Sequence, residues 1–232
     1  MSIPRVIHQI WIGGPVPPAV QRLMDSWPQH HPDWDYRLWT DEDLPELENA
    51  DLFAQAPSFA MKADLLRYEI LASRGGLYVD ADFECHRPLD PLLEQVGDLL
   101  LVSEFGTVCN SFMGAAAADP FVVRCVSEAR TRMLRTSARD WEERPHLVTG
   151  PGLVDEVFVE LDVAVERPES LLPGDYFFEP RTRVPHLVDL ARRKRYATHV
   201  ALASWRRQTW EQRVRDLKPR TRWRRFVDLS HP

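Results

Sequence analysis

Cysteine is scarce in this 232-residue chain, and the three present, Cys85, Cys109 and Cys125, show no CxxC spacing. An odd, unpatterned set argues against a disulfide framework and against a cysteine-rich zinc site, so buried thiols are expected. Long apolar runs are also missing: none approaches the roughly 18–20 residues that a membrane span needs. The start Met1-Ser2-Ile3-Pro4-Arg5 lacks the basic segment and apolar stretch of a secretory signal, so a cytoplasmic protein is expected. There is no internal repeat, low-complexity tract or long linker, and the 19 prolines are scattered, marking loops around short elements.

What is present suits one α/β domain, since a domain takes roughly 100–200 residues and single α/β domains often exceed that. Apolar residues at 44% and charged residues at 28% provide a core and set aside collagen-like, coiled-coil and disordered chains. The net charge of −6 hides an asymmetry, because residues 181–232 hold 15 Lys/Arg against 4 Asp/Glu, which leaves −17 on residues 1–180. A basic end of this kind serves a phosphate-bearing substrate, an anionic surface, or the acidic body of its own chain.

Val6 to Ile12 is β-branched and mostly apolar and is stopped by Gly13-Gly14-Pro15, as expected of a buried parallel strand. A helix is predicted from about Ala19 to Trp27, a strand at Tyr36–Trp39, and a helix start at Thr40 with Asp43 three residues on. Ser58 to Arg74 has an apolar face of helical period, and Gly75-Gly76 ends it. Leu77 to Phe83 then alternates, with Leu77, Val79, Ala81 and Phe83 on one face and Tyr78, Asp80 and Asp82 on the other. Leu99–Val102 reads as a further buried strand, Pro120–Arg135 as a helix, and Glu156–Val163 is ambiguous. Strands alternating with helices predict a mostly parallel sheet with crossover helices.

Asp-x-Asp occurs three times, at Asp33/Asp35, Asp41/Asp43 and Asp80/Asp82. Two carboxylates at this spacing repel unless a proton or cation intervenes, and Mg²⁺ or Mn²⁺ suits oxygen ligands beside substrate phosphates. The first pair sits among turn residues and the second at the expected helix start, where negative charge complements the macrodipole. The third lies on a strand that is apolar on its other face, an arrangement that puts polar groups at the carboxyl edge of a parallel sheet. An aspartyl-nucleophile phosphohydrolase also uses Asp-x-Asp, but its pattern continues to Thr or Val where Glu84 stands here.

Ile7-His8-Gln9-Ile10-Trp11-Ile12-Gly13, Ala63-Asp64-Leu65-Leu66-Arg67-Tyr68, Gly75-Gly76-Leu77-Tyr78-Val79-Asp80-Ala81-Asp82 and His199…Ser204-Trp205 together resemble the DxD sugar transferases of glycosyltransferase family 32. That family includes yeast Golgi mannosyltransferases and bacterial capsule enzymes and is related to the glucosylating domains of clostridial toxins. The match is dense over residues 3–93 and thins to Asn110-Ser111-Phe112, Thr149-Gly150-Pro151-Gly152 and the His-Ser-Trp stretch. The resemblance implies a GT-A, Rossmann-like α/β fold, a UDP- or GDP-sugar donor, a divalent metal (Mn²⁺ or Mg²⁺), and hexose transfer with retention. It divides a single domain over 1–232 into a nucleotide-sugar-binding half at 1–105, an acceptor half at 106–205 and a basic tail at 206–232.

The resemblance also assigns roles. Trp11 would stack on the base, the alternative being a core aromatic. Asp64 and Arg67 would engage sugar hydroxyls and the phosphate side, the alternative being a surface ion pair worth about 0.2–0.5 kcal/mol. Asp80 would contact ribose and metal, Asp82 would ligate the metal, and Tyr78 would lie beside the phosphates. His199 would complete the metal shell or be structural, Ser204 and Trp205 would line the pyrophosphate, and Asn110 would approach sugar or acceptor. The acceptor would be a glycan, a small molecule or a lipid-linked group, in a bacterial-style cytosolic enzyme.

The rival class is a binding protein whose basic end grips nucleic acid or membrane, with Trp210, Val214 and Leu217 on one stripe among arginines and Pro219 breaking the helix. For the enzyme, peripheral membrane contact through that tail is compatible, and no nucleic acid is expected.

Overall fold

In the computed structural model, residues 2–104, 106–177 and 195–200 are described. The first half contains β1 (Val6–Ile10), α1 (Pro18–His30), β2 (Asp35–Trp39), α2 (Ala50–Gln55), α3 (Phe59–Arg74), β3 (Gly76–Val79), β4 (Phe83–Cys85), α4 (Asp90–Leu93) and β5 (Leu99–Glu104). The second contains β6 (Thr107–Ala115), α5 (Pro120–Arg135), α6 (Ala138–Glu143), α7 (Pro145–Val148), α8 (Pro151–Glu160), α9 (Val163–Glu166), β7 (Leu171–Pro173) and β8 (Ala197–His199).

Six strands form one sheet in the order β2-β1-β3-β6-β5-β7, and β4 pairs with β8 in a two-stranded ribbon. Within the large sheet β6 alone runs against the others. The chain leaves β1 to lay down β2 on one side and then crosses to lay down β3 on the other. Ligands of open α/β sheets bind outside the carboxyl ends of strands at such a switch in direction, here the ends of β1 and β3.

The continuous apolar run of β5 is explained by burial on both faces. Leu99 and Leu101 join the layer formed with α3, α5 and α8, while Leu100 and Val102 join the layer containing Trp27, Phe83 and Phe112. Helix α3 starts at Ser58, whose hydroxyl accepts from the Met61 amide, and α5 starts at Asp119, which accepts from the Phe121 amide. At the end of α3, Gly75 has φ +66°, and a Cβ there would lie 2.6 Å from the Ala117 amide nitrogen. Only glycine meets both conditions, and the turn brings β3 directly back against the helix.

Three expectations are corrected. Thr40 to Asp43 is a single turn closed by Asp43 N–H to the Thr40 carbonyl, not a helix start. Its carboxylates have other uses: Asp43 pairs with Arg37, and Asp41 accepts from the Gly13 amide at 2.7 Å, tying down the loop after β1. The strand expected over Leu77–Phe83 breaks at Asp80–Asp82, where the Phe83 amide turns back onto the Asp80 carbonyl at 3.2 Å. Helix α1 runs past Trp27 through Pro28 to His30, and the ambiguous segment Glu156–Val163 holds the end of α8 and the start of α9. The three cysteines are buried free thiols, as expected.

Candidate functional site

Asp80 follows the last residue of β3 and is held by its backbone on both sides. Its amide donates to the Ser111 carbonyl at 2.9 Å, and its carbonyl accepts from Gln9 Nε2 at 3.2 Å. Gln9 is itself oriented by the Tyr36 hydroxyl, which donates to Oε1 at 2.7 Å. A turn rather than a strand at residues 80–82 allows both acidic side chains to meet the same space beyond the sheet edge.

Opposite them, α3 presents Asp64 and Arg67. Arg67 lies 3.1 Å from Asp80 Oδ1 and 3.2 Å from Asp64 Oδ1, donates to the Asn110 carbonyl at 2.6 Å, and sits 4.5 Å over the Tyr78 ring. The Arg67 and Asp64 side chains are only 6% and 11% exposed, so the surface-pair alternative is excluded. Burial pushes the carboxyls of Asp64 and Asp80 above the usual range, with Arg67 opposing that shift most strongly. Burial alone would lower Arg67, but Asp80, Tyr78 and Asp64 outweigh it and hold the guanidinium charged.

Asp82 lies on the outer side of the turn, with Oδ1 3.2 Å from His199 Nε2. His199 ends β8 and stacks on Phe83, ring centroids 4.4 Å apart. Burial lowers the basicity of this imidazole, but the hydrogen bond and charge of Asp82 win and its net shift is upward. One ligand atom from each of Asp80, Asp82 and His199 lies within 4.8 Å of the others. Two carboxylates and an imidazole form a donor set that suits Mn²⁺ or Mg²⁺.

The Asp80/Asp82 turn falls within residues 17–97, which match the glycosyltransferase sugar-binding region containing the DXD motif. Over residues 17–97 the chain is thus similar to the DXD-containing sugar-binding region of glycosyltransferases. Among curated relatives, inositol phosphoceramide mannosyltransferase 3 of Schizosaccharomyces pombe is 36% identical over 131 residues, covering 54% of this chain and 36% of its own. Inositol phosphoceramide mannosyltransferase 1 of the same yeast is 30% identical over 184 residues, covering 75% of this chain and 56% of its own. The chain thus spans between about a third and a little over half of these relatives. Among solved structures, the PaToxG glycosyltransferase superposes with a TM-score of 0.55 over 70% of each chain at 16% identity. The ligand-free glycosyltransferase domain of the YGT toxin does so with 0.56 over 74% of this chain and 80% of that one, at 11% identity. At such identities the likeness concerns the fold, and it is that of GT-A glycosyltransferase domains.

The DXD turn opens on a cavity of about 380 Å³ that Trp11, Asp64, Arg67, Tyr78, Asp80, Asp82 and Asn110 all line. Trp11 is half-buried beside Val20 and Met24, so it is both a packing residue and part of the wall. Tyr78 donates its hydroxyl to Asp80 Oδ1 at 2.6 Å, and Asn110 donates Nδ2 to Asp64 Oδ1 at 2.8 Å, so both also act on the acidic side chains. Ser204, Trp205 and the basic stretch from Arg206 to Arg225 lie outside the described residues. No helix among the described residues is long and apolar enough to cross a membrane.

Sequence reasoning missed His146 and gave no role to Gln9, Tyr68 and Thr149, although these three lie in the stretches that carry the resemblance. A buried amide in the middle of the apolar run of β1 was a usable signal for Gln9. Nothing in the spacing of residues 145–151 announced that this turn forms the far wall of the cavity.

Proposed function

We propose that this chain is a metal-dependent glycosyltransferase that moves a hexose from a UDP- or GDP-sugar to an acceptor with retention of configuration. The observation that carries the reading is the convergence of Asp80, Asp82 and His199, with Asp80 and Asp82 lining a cavity that Asp64 and Arg67 also line. Asp80, Asp82 and His199 would hold Mn²⁺ or Mg²⁺. A bound divalent ion supplies Lewis-acid neutralisation of the charge that builds on a departing nucleoside diphosphate. Arg67, kept charged between two carboxylates, adds a fixed positive group at the same end of the cavity. Trp11 offers a flat face to the base. Asp64 orients the sugar hydroxyls, and Ser204 and Trp205 are assigned to the pyrophosphate by resemblance.

Retention follows from the family resemblance, and a covalent intermediate on Asp64 or Asp80 is disfavoured because both carboxylates are engaged. Asp64 accepts from Asn110 and Thr149 and pairs with Arg67, while Asp80 Oδ1 accepts from Tyr78 and pairs with Arg67. The same engagement weakens the phosphohydrolase alternative, which needs an aspartate oxygen available to attack. The two yeast relatives are by name mannosyltransferases of a phosphoinositol lipid, which favours mannose and a lipid-linked acceptor. Cytoplasmic residence, at most peripheral to a membrane through the basic tail, completes the proposal.

The test is a panel of UDP- and GDP-sugars with Mn²⁺, scored for released nucleotide without acceptor. The expected result is one productive donor, with Asp80→Asn and Asp82→Asn losing turnover while keeping their fold. A panel with no turnover and no calorimetric heat, or wild-type rates in both variants, refutes the proposal.

A further inference from the structure

Behind the cavity wall, a closed ring of hydrogen bonds joins α3, β6 and the turn between α7 and α8. Thr149, fully buried in that turn, donates its hydroxyl to Asp64 Oδ2 at 2.9 Å. The Thr149 carbonyl accepts from the Tyr68 hydroxyl at 2.6 Å. Tyr68 oxygen accepts from Asn110 Nδ2 at 3.0 Å, and the second proton of that amide goes to Asp64 Oδ1 at 2.8 Å. Every donor in the ring has the proton its bond requires.

The distribution of these bonds over the Asp64 carboxylate is uneven. Asn110 and Arg67 both bind Oδ1, and Thr149 is the partner on Oδ2. Two donors on one oxygen leave the carboxylate able to rotate about its Cβ–Cγ bond, whereas a third on the other oxygen fixes its plane. The turn that supplies this third donor has little freedom to shift. A Cβ on Gly150 would lie 2.8 Å from the His146 Cα, and one on Gly152 3.0 Å from the His146 carbonyl oxygen, so backbone packs directly on backbone there.

We propose that Thr149 is a positioning residue for the donor sugar, setting the plane of the Asp64 carboxylate from a turn that itself lies far along the chain. The inference rests on the reading of Asp64 as the sugar-binding carboxylate. Thr149 does not line the cavity, so its effect on a ligand passes through Asp64. The consequence is selective: recognition of the hexose depends on the Thr149 hydroxyl, and recognition of the nucleotide does not.

Calorimetry on the full chain with Mn²⁺ tests this, using UDP-glucose against UDP and GDP-mannose against GDP, in wild type, Thr149→Val and Thr149→Ser. Thr149→Val is expected to weaken the productive sugar nucleotide by about tenfold or more, the loss of one hydrogen bond to a buried charged group. The matching nucleoside diphosphate should stay within about twofold, and Thr149→Ser should restore wild-type affinity. Equal weakening of both ligands, or none, overturns the inference while leaving the donor reading intact. A wild-type chain that binds neither nucleotide overturns the donor reading and the inference with it. Should Thr149→Val not fold, Tyr68→Phe loosens the same turn from its carbonyl side and must reproduce the selective loss.

Discussion

Replacing Arg67 by methionine removes one cation from between the buried carboxylate of Asp64 and the half-buried one of Asp80. The guanidinium makes ion pairs at 3.1 and 3.2 Å to Asp80 and Asp64, donates to the carbonyls of Asn110 at 2.6 Å and Ala63 at 3.2 Å, and covers the Tyr78 ring. Breaking a buried pair by deleting one partner costs about 3–5 kcal/mol, because the remaining charge is left uncompensated. For a chain of this size each kcal/mol moves the melting temperature by about 2–4 °C, so a fall of roughly 6–20 °C is expected at pH 7. The sign of the pH dependence follows from the same geometry. Burial already holds Asp64 and Asp80 above the ordinary carboxylate range, and loss of Arg67 raises them further. A carboxyl raised in the folded state destabilises at pH values above its unfolded value and ceases to do so once protonated. The defect measured by urea unfolding should therefore shrink between pH 7 and pH 5. A penalty below about 1 kcal/mol, or one that does not change with pH, would show that Arg67 is not the counter-ion that keeps these carboxylates inside.

Four further outcomes are expected. His8, buried between Trp39 Nε1 and the Gly75 carbonyl, is pushed down by burial to about 4. Its contribution is complete above its unfolded value and is lost as pH falls towards 4, a change of about 3 kcal/mol that His8→Gln should not show in acid unfolding curves. Mn²⁺ at about a hundred times its Kd should add about 2.7 kcal/mol, raising the melting temperature by about 5–10 °C, and this shift should vanish in Asp82→Asn or with EDTA. Gly75→Ala, at φ +66° with a Cβ 2.6 Å from a backbone nitrogen, should cost at least about 1–3 kcal/mol. Gly97→Ala, where a Cβ meets only ordinary contact at 3.5 Å, should change stability by under about 0.5 kcal/mol in the same denaturant assay.

Much of the fold was legible because local signals and burial agree. Helix α5 carries its cap at Asp119, its period and its basic last turn in the sequence, and its ends fall where these place them. Helix α3 and the double glycine were equally plain, and they locate the Asp80/Asp82 pair at a sheet edge. The break after Val79 was not legible, because alternation continues through Ala81 and Phe83 while the chain turns to meet His199, more than a hundred residues away. Thr40 and Asp43 carry a capping pattern, but Asp41 and Asp43 are drawn off by Gly13 and Arg37, partners that only the folded chain supplies. The Asp64, Tyr68, Asn110 and Thr149 ring was hidden for the same reason, since its hydrogen bonds join residues up to 85 positions apart.

The reversed strand β6 has a consequence for how much of this chain can be isolated. It fills the slot between β3 and β5, and its Ser111 carbonyl receives the Asp80 amide. A fragment cut to residues 17–97, the stretch that carries the family signature, would contain β3 without β1 on one flank or β6 on the other. Both rims of that strand would then offer unsatisfied backbone groups to neighbouring molecules, a recipe for aggregation. During synthesis the same slot stays open until residue 115 has left the ribosome, so the acidic turn acquires its anchor well after its own residues have emerged.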